Sequence, residues 1–350
     1  MRKIIFLIII NFILCNKNKN NSKIIQIRKN KIYDSSKFSK SYNFSNFINK
    51  LSTKKNVILG IIVNYSWEKI LPFIKSLNVA DFINSDIIMF ISGLTKSVIN
   101  NLNSFGIIVY NIQNKFKDVQ NIYNDRWKIY KDFLNNNKDK YNLVLSVDIK
   151  DTIFQDKFFS LYENYTNLLG FSFEESTLEN STNKYWIIER FGNALYENIK
   201  NKKIINAGTI WGTINTFIEF SSILYKNLLK YPEASDQSVV NYLIYHENIL
   251  GNCTKITSDG YGPVITLGLT NRKNIVFDSK NNILNYNDQI ASIIHQYDRH
   301  ADIKKIIKEK YCPELIRINL IIKFFIILEL FTFILFIKSK FNLFISKIKK

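Results

Sequence analysis

An α/β fold, with a mainly parallel sheet sandwiched by helices, is predicted by three observations. Strand-length apolar runs recur along residues 56–147, helical segments alternate with them, and the runs are apolar on both faces. Residues 56–63 (NVILGIIV) form the first run, and residues 67–77 then repeat Ile70, Leu71, Phe73, Ile74 and Leu77 at helical spacing. Residues 86–91 (DIIMFI) are the next strand, residues 94–102 the next helix, and residues 106–112 (GIIVYNI) a third strand. A longer helix over 119–136 leads into a fourth strand at 142–147 (NLVLSV). Ligands of open α/β sheets bind outside the carboxyl ends of the strands, which directs attention to the residues after Val147.

The flanks have a different character. The 48 Lys and Arg against 29 Asp and Glu give a net charge of +19, but residues 56–300 hold 24 of each sign. The excess therefore belongs to the two ends, which argues against nucleic acid as a partner of the middle. Met1, Arg2 and Lys3 precede an apolar run at 4–14 that is too short to span a bilayer and suits a signal peptide over 1–15. Residues 16–55 are Asn/Lys/Ser-rich without periodicity and read as a stem. Residues 318–337 carry 16 apolar residues in 20, interrupted by Asn319, Lys323, Glu329 and Thr332. At about 0.3–0.6 kcal/mol each, the apolar residues outweigh the cost of about 3 kcal/mol for the central Glu. A transmembrane helix is the expectation, with a surface amphipathic helix or a packed core helix as the competing readings. The lysines of 338–350 place that basic tail in the cytosol and the middle of the chain in the lumen of the ER or Golgi. Six N-x-S/T sequons (Asn20, Asn43, Asn64, Asn164, Asn180, Asn252) are compatible with that topology, and Cys253 and Cys312 are either a bridge or two free thiols.

The chemistry-bearing residues follow the fourth strand. Asp148 and Asp151, with no adjacent His or Cys, offer hard oxygen ligands suited to Mg²⁺ or Mn²⁺, which also holds a diphosphate. Alone, this D-x-x-D also describes a turn with an acidic helix cap. Residues 204–213 (IINAGTIWGT) read as a strand ending in a Gly turn, and Gly208 and Gly212 also suit places where a side chain would collide with a ligand or the preceding loop. In residues 235–241 (SDQSVVN), Ser235 or Asp236 caps a helix over 237–246, and an acid placed there can also accept a proton. Residues 293–300 (IIHQYDRH) bring a late His and Arg together; neutral imidazole ligates Mn²⁺, and guanidinium pairs with phosphate.

Taken in order, VLSVDIKDTIFQDKFF, IINAGTIWGT, SDQSVVN and IIHQYDRH resemble the GT-A superfamily of nucleotide-diphospho-sugar glycosyltransferases, over roughly residues 56–300. The chain departs from the family pattern in the two residues between its acids and in Lys157, where Pro is usual. The resemblance implies a Rossmann-like GT-A sheet in a single catalytic domain, 56–312, with Mn²⁺ (or Mg²⁺) on Asp148, Asp151 and His295. It implies donor contacts from Arg126, Asn206, Ala207, Gly208, Gln237 and Arg299, with Asp236 as the base facing the acceptor and Asn64 and Tyr65 near the nucleobase. Trp127 and Tyr130 read as core rather than as a stacking platform. The expected activity is transfer of a sugar from a nucleotide-diphospho-sugar donor to a hydroxyl of a glycan, protein or lipid acceptor. Its rival is a non-catalytic lumenal protein that binds sugar or nucleotide on a degenerate fold of the same type.

Overall fold

The computed structural model describes residues 54–348, apart from 79–81, 83, 113–118, 180, 248 and 250–252. The expected signal peptide, nearly all of the stem and the sequons at Asn20, Asn43, Asn180 and Asn252 therefore lie outside the described residues.

Three βα units and a fourth strand come first, as the alternation of apolar runs predicts. β1 (Lys55–Val63), α1 (Trp67–Ser76), β2 (Ser85–Ser92), α2 (Lys96–Ser104), β3 (Ile108–Asn111), α3 (Val119–Asn135) and β4 (Tyr141–Val147) follow one another along the chain. The short β5 (Thr152–Phe154) comes next, then β6 (Leu168–Thr177), α4 (Ser181–Phe191), α5 (Asn193–Ile199) and β7 (Lys203–Thr213). α6 (Ile214–Lys230), α7 (Asp236–Tyr242), β8 (Thr254–Ser258), β9 (Val264–Thr266), β10 (Ile293–His295), α8 (Ala301–Tyr311) and α9 (Pro313–Ile348) complete the chain.

Seven strands form one sheet in the order β3-β2-β1-β4-β7-β6-β8. Every neighbouring pair is parallel except those of β7, which runs antiparallel to both β4 and β6. One face is closed by α1, α2 and α8 through Phe73, Ile74, Leu102 and Ile303. The other is closed by α3, α6 and α7 through Trp127, Tyr130, Phe217, Phe220 and Val239. Trp127 and Tyr130 are fully buried, which makes them core side chains. The third strand is shorter than its apolar run because β3 is the sheet edge, where Ile108 and Tyr110 stay exposed.

A second sheet, β5-β10-β9, lies on the α1 side. β10 pairs antiparallel with β5, setting His295 opposite Thr152, and parallel with β9, setting His295 beside Thr266. The small sheet thus returns a segment about 140 residues downstream of β4 to the carboxyl edge of the main sheet.

The turn expected within 204–213 is absent. That segment is one continuous strand, and the irregularity lies in its pairing: Phe171 is opposite Ile210 but Ser172 is opposite Asn206. Residues 207–209 bulge away from β6, which re-aims the strand locally without ending it.

Cys253 and Cys312 are free thiols. α9 runs for 36 residues, about 54 Å at helical rise, and its described side chains from Phe324 to Ile337 are exposed on every side. Among the described residues no helix is long and apolar enough to cross a membrane; side chains 318–323, the start of the expected span, fall outside that description.

Candidate metal centre

β4 ends at Val147, and the chain turns at once through Asp148 and Asp151 into β5. The Asp148 backbone N–H donates to the Gly208 carbonyl at 2.8 Å, which ties the acidic turn to the β7 bulge. β10 delivers His295 to the same place. Its Nε2 lies 3.8 Å from Asp148 Oδ2 and 3.6 Å from Asp151 Oδ1.

One ligand atom from each of these three residues falls within 4.8 Å of the others, a group able to hold a metal ion. Separations of 3.6 and 3.8 Å are too long for hydrogen bonds. They suit donors that share one cation at metal–ligand distances of about 2.1 Å, which sit between about 3 and 4 Å apart. His295 is 1 % exposed, and both of its ring nitrogens are buried without a hydrogen-bond partner. A buried imidazole left unsatisfied is costly, and a metal on Nε2 supplies one of the missing partners.

Electrostatics point the same way. Burial raises the Asp148 carboxyl, but the Arg126 guanidinium and His295 outweigh it and hold the group well below the usual carboxylate range. Burial lowers the His295 imidazolium, but Asp148 and Asp151 outweigh that and raise it to about 9. The metal-free site is thus anionic enough to hold a proton where a cation would bind.

Gly208 shows why the bulge carries no side chain. A Cβ there would stand 2.5 Å from His295 Cε1 and 2.6 Å from Asp148 Oδ2. The collision is with the side chains of the candidate metal group. At Gly212 the obstacle is structural, the Leu168 carbonyl at 2.6 Å, where β7 and β6 pass closely.

Arg126 turns inward from α3. Its side chain is 6 % exposed, and Nη1 donates to Asp148 Oδ1 at 2.6 Å. Nε and Nη2 donate to Asp236 Oδ2 at 2.9 and 2.5 Å, and Nη2 also reaches the Ala207 carbonyl at 3.1 Å. Four of the five guanidinium N–H groups join three segments, so Arg126 acts as a clamp within the chain. Asp236 is its other jaw, since the same Oδ2 also accepts from Trp127 Nε1 at 3.1 Å. The cap of α7 falls to Ser235, whose side chain accepts from the Ser238 N–H.

Asn206 and Ala207 are almost fully buried. Asn206 Oδ1 accepts from the Gly208 N–H at 2.7 Å, and Gln237 Oε1 accepts from the Ala207 N–H at 3.4 Å. Glu174 Oε1 accepts from the Asn206 and Gln237 amides at 2.8 and 3.2 Å, and Gln237 also donates to Asn183 at 3.1 Å. Glu174 and Asn183 belong to none of the motifs; for Glu174 the available signal was an acid directly after the apolar half of a strand (LLGFSFEEST).

Two half-exposed cations lie beside the acidic turn. Arg299 Nη2 stands 3.6 Å from Asp151 Oδ2, and Lys150 stands 3.4 Å from Asp298. Lys150, between the two acids in sequence, is a second candidate for pairing with phosphate. Asn64, just past β1, is exposed in the left-handed region at φ 52°, its side chain against Gly93.

No protein-family model matches the chain, and no curated protein matches it significantly.

Proposed function

We propose that the chain is a metal-dependent glycosyltransferase of the GT-A type, moving a sugar from a nucleotide-diphospho-sugar to an acceptor hydroxyl. The observation that carries this reading is the Asp148–Asp151–His295 group at the carboxyl edge of the sheet, closed around a glycine that only bare backbone can occupy. Two carboxylates and an imidazole suit Mn²⁺, or Mg²⁺ with less use of the imidazole. The bound ion neutralises charge that builds on the departing diphosphate, the principal electrostatic demand of the transfer. Arg299 and Lys150 supply further positive charge beside the acidic turn, and Arg126 holds Asp148 and Asp236 in place from behind.

The same reading assigns α9 to membrane attachment. A helical segment that is mostly apolar and exposed on every side from Phe324 to Ile337 needs a nonaqueous neighbour, and the lysines beyond it favour the cytosolic side. The catalytic domain then faces the lumen of the ER or Golgi.

The test is a screen of the purified full chain in detergent against common UDP- and GDP-sugars with Mn²⁺, scored as release of nucleoside diphosphate. Hydrolysis of at least one donor that stops on chelation supports the reading. Binding of donor with no turnover, with or without candidate acceptors, favours the non-catalytic relative instead.

A further inference from the structure

The clamp occupies the acid that the sequence offered as proton acceptor. Asp236, the residue expected for that role, receives two bonds from Arg126 and one from Trp127 on a single oxygen. That oxygen already accepts three donors, so the carboxylate is committed to holding the buried guanidinium. Asp148 and Asp151 belong to the metal group.

Glu174 is different. It is 6 % exposed on β6, and its two donors are the neutral amides of Asn206 and Gln237. Among the described residues it forms no ion pair, so a carboxylate is buried with amide donors and no cation. It sits just past the irregularity in β6–β7 pairing that lifts Gly208 toward His295, since Ser172 is opposite Asn206 and Glu174 bonds the Asn206 side chain. One acid is therefore held, through the Asn206 side chain, against the bulged backbone at Gly208 that packs on His295 and Asp148, and the amides that hold it also hold the Ala207 and Gly208 N–H groups.

We infer that Glu174 is the general base of the transfer, an inference that rests on the glycosyltransferase reading above. The carboxylate removes the proton of the acceptor hydroxyl, or of water in the hydrolytic side reaction. The freed oxygen forms a bond to the anomeric carbon as the bond from that carbon to the diphosphate oxygen breaks. The electron pair leaves with the diphosphate, and the proton ends on Glu174. The asymmetry with Asp236 makes chemical sense. A base needs a carboxylate able to accept charge-neutralising hydrogen, whereas a clamp needs one that stays ionised against its guanidinium.

The Glu174→Gln variant separates chemistry from scaffolding. The Gln carbonyl oxygen accepts from Asn206 and Gln237 as the carboxylate does, so a purely structural role survives the substitution while proton removal does not. The full chain and the variant are compared for Mn²⁺-dependent binding of UDP and GDP, for thermal unfolding, and for hydrolysis of the donors accepted by wild type. The inference expects unchanged binding and unfolding with kcat reduced about 100-fold or more, the scale of lost general-base catalysis. Turnover within about threefold of wild type overturns it. So does loss of nucleotide binding or of folding in Glu174→Gln, which would make Glu174 a scaffold residue. Absence of turnover by wild type on every donor fails the enzyme reading itself and this inference with it, an outcome distinct from an active Glu174→Gln.

Discussion

Gly208 and His295 approach so closely that a single methyl on the glycine would lie 2.5 Å from the imidazole Cε1. The β7 bulge and the metal group are therefore one construction, and substituting the glycine tests it. Gly208→Ala should push His295 and Asp148 apart, lower Mn²⁺ affinity at least tenfold and destabilise the fold by about 1–3 kcal/mol through overpacking. Titration with Mn²⁺ and a chemical-denaturation curve read both effects. Unchanged metal affinity would separate the bulge from the site.

The metal ligands should not respond equally. Asp151→Asn retains size but removes charge, and should abolish metal-dependent nucleotide binding while leaving the fold intact. His295→Ala should weaken metal affinity without eliminating it, since two carboxylates remain. Equal losses in both variants would mean that the imidazole is as essential as the acids.

The Arg126 clamp leads to a stability prediction. Arg126→Met removes a buried cation and leaves Asp148 with only His295 and Asp236 with only the Trp127 donor, a loss of about 3–5 kcal/mol. Asp236→Asn should also destabilise measurably, which differs from an acid acting only on the transition state. Urea unfolding of the two variants checks this; stabilities within about 0.5 kcal/mol of wild type would show that the clamp contributes little.

His295 sets the pH dependence. Its folded value is raised from an ordinary 6.5 to about 9, so in metal-free protein its contribution to stability is fully present below about pH 6.5 and is lost as pH rises through about 9. Metal and proton compete for the same nitrogen. Mn²⁺ binding at pH 7 should therefore release close to one proton per chain and tighten as pH rises toward 9. Calorimetry in buffers of different ionisation heat measures the release, and none would mean that His295 is already neutral or is not a ligand.

Much of this architecture was legible in the sequence, and the reasons are local. Residues 56–63, 86–91 and 142–147 are apolar runs bounded by polar turns, so their periodicity was enough to place β1, β2 and β4. Asp148, Asp151 and His295 were legible as separate motifs. Their meeting depends on β10 pairing with β5, a contact between segments about 140 residues apart that no local pattern encodes. The inward turn of Arg126 was hidden for a similar reason, because NDRWKIYKDF reads equally as a surface stripe and only the approach of α7 supplies Asp236. The strand through residues 206–208 was hidden because N-A-G has the composition of a turn, while its flanks on β4 and β6 keep it extended.

Most directly, the central claim rests on one measurement, equilibrium binding of Mn²⁺ to the full chain with and without nucleoside diphosphate, in wild type and in Asp151→Asn. The account predicts one Mn²⁺ per wild-type chain, bound more tightly when UDP or GDP is present, and no such site in Asp151→Asn. Wild-type protein that binds no Mn²⁺, or an Asp151→Asn variant that binds it as wild type does, would contradict it.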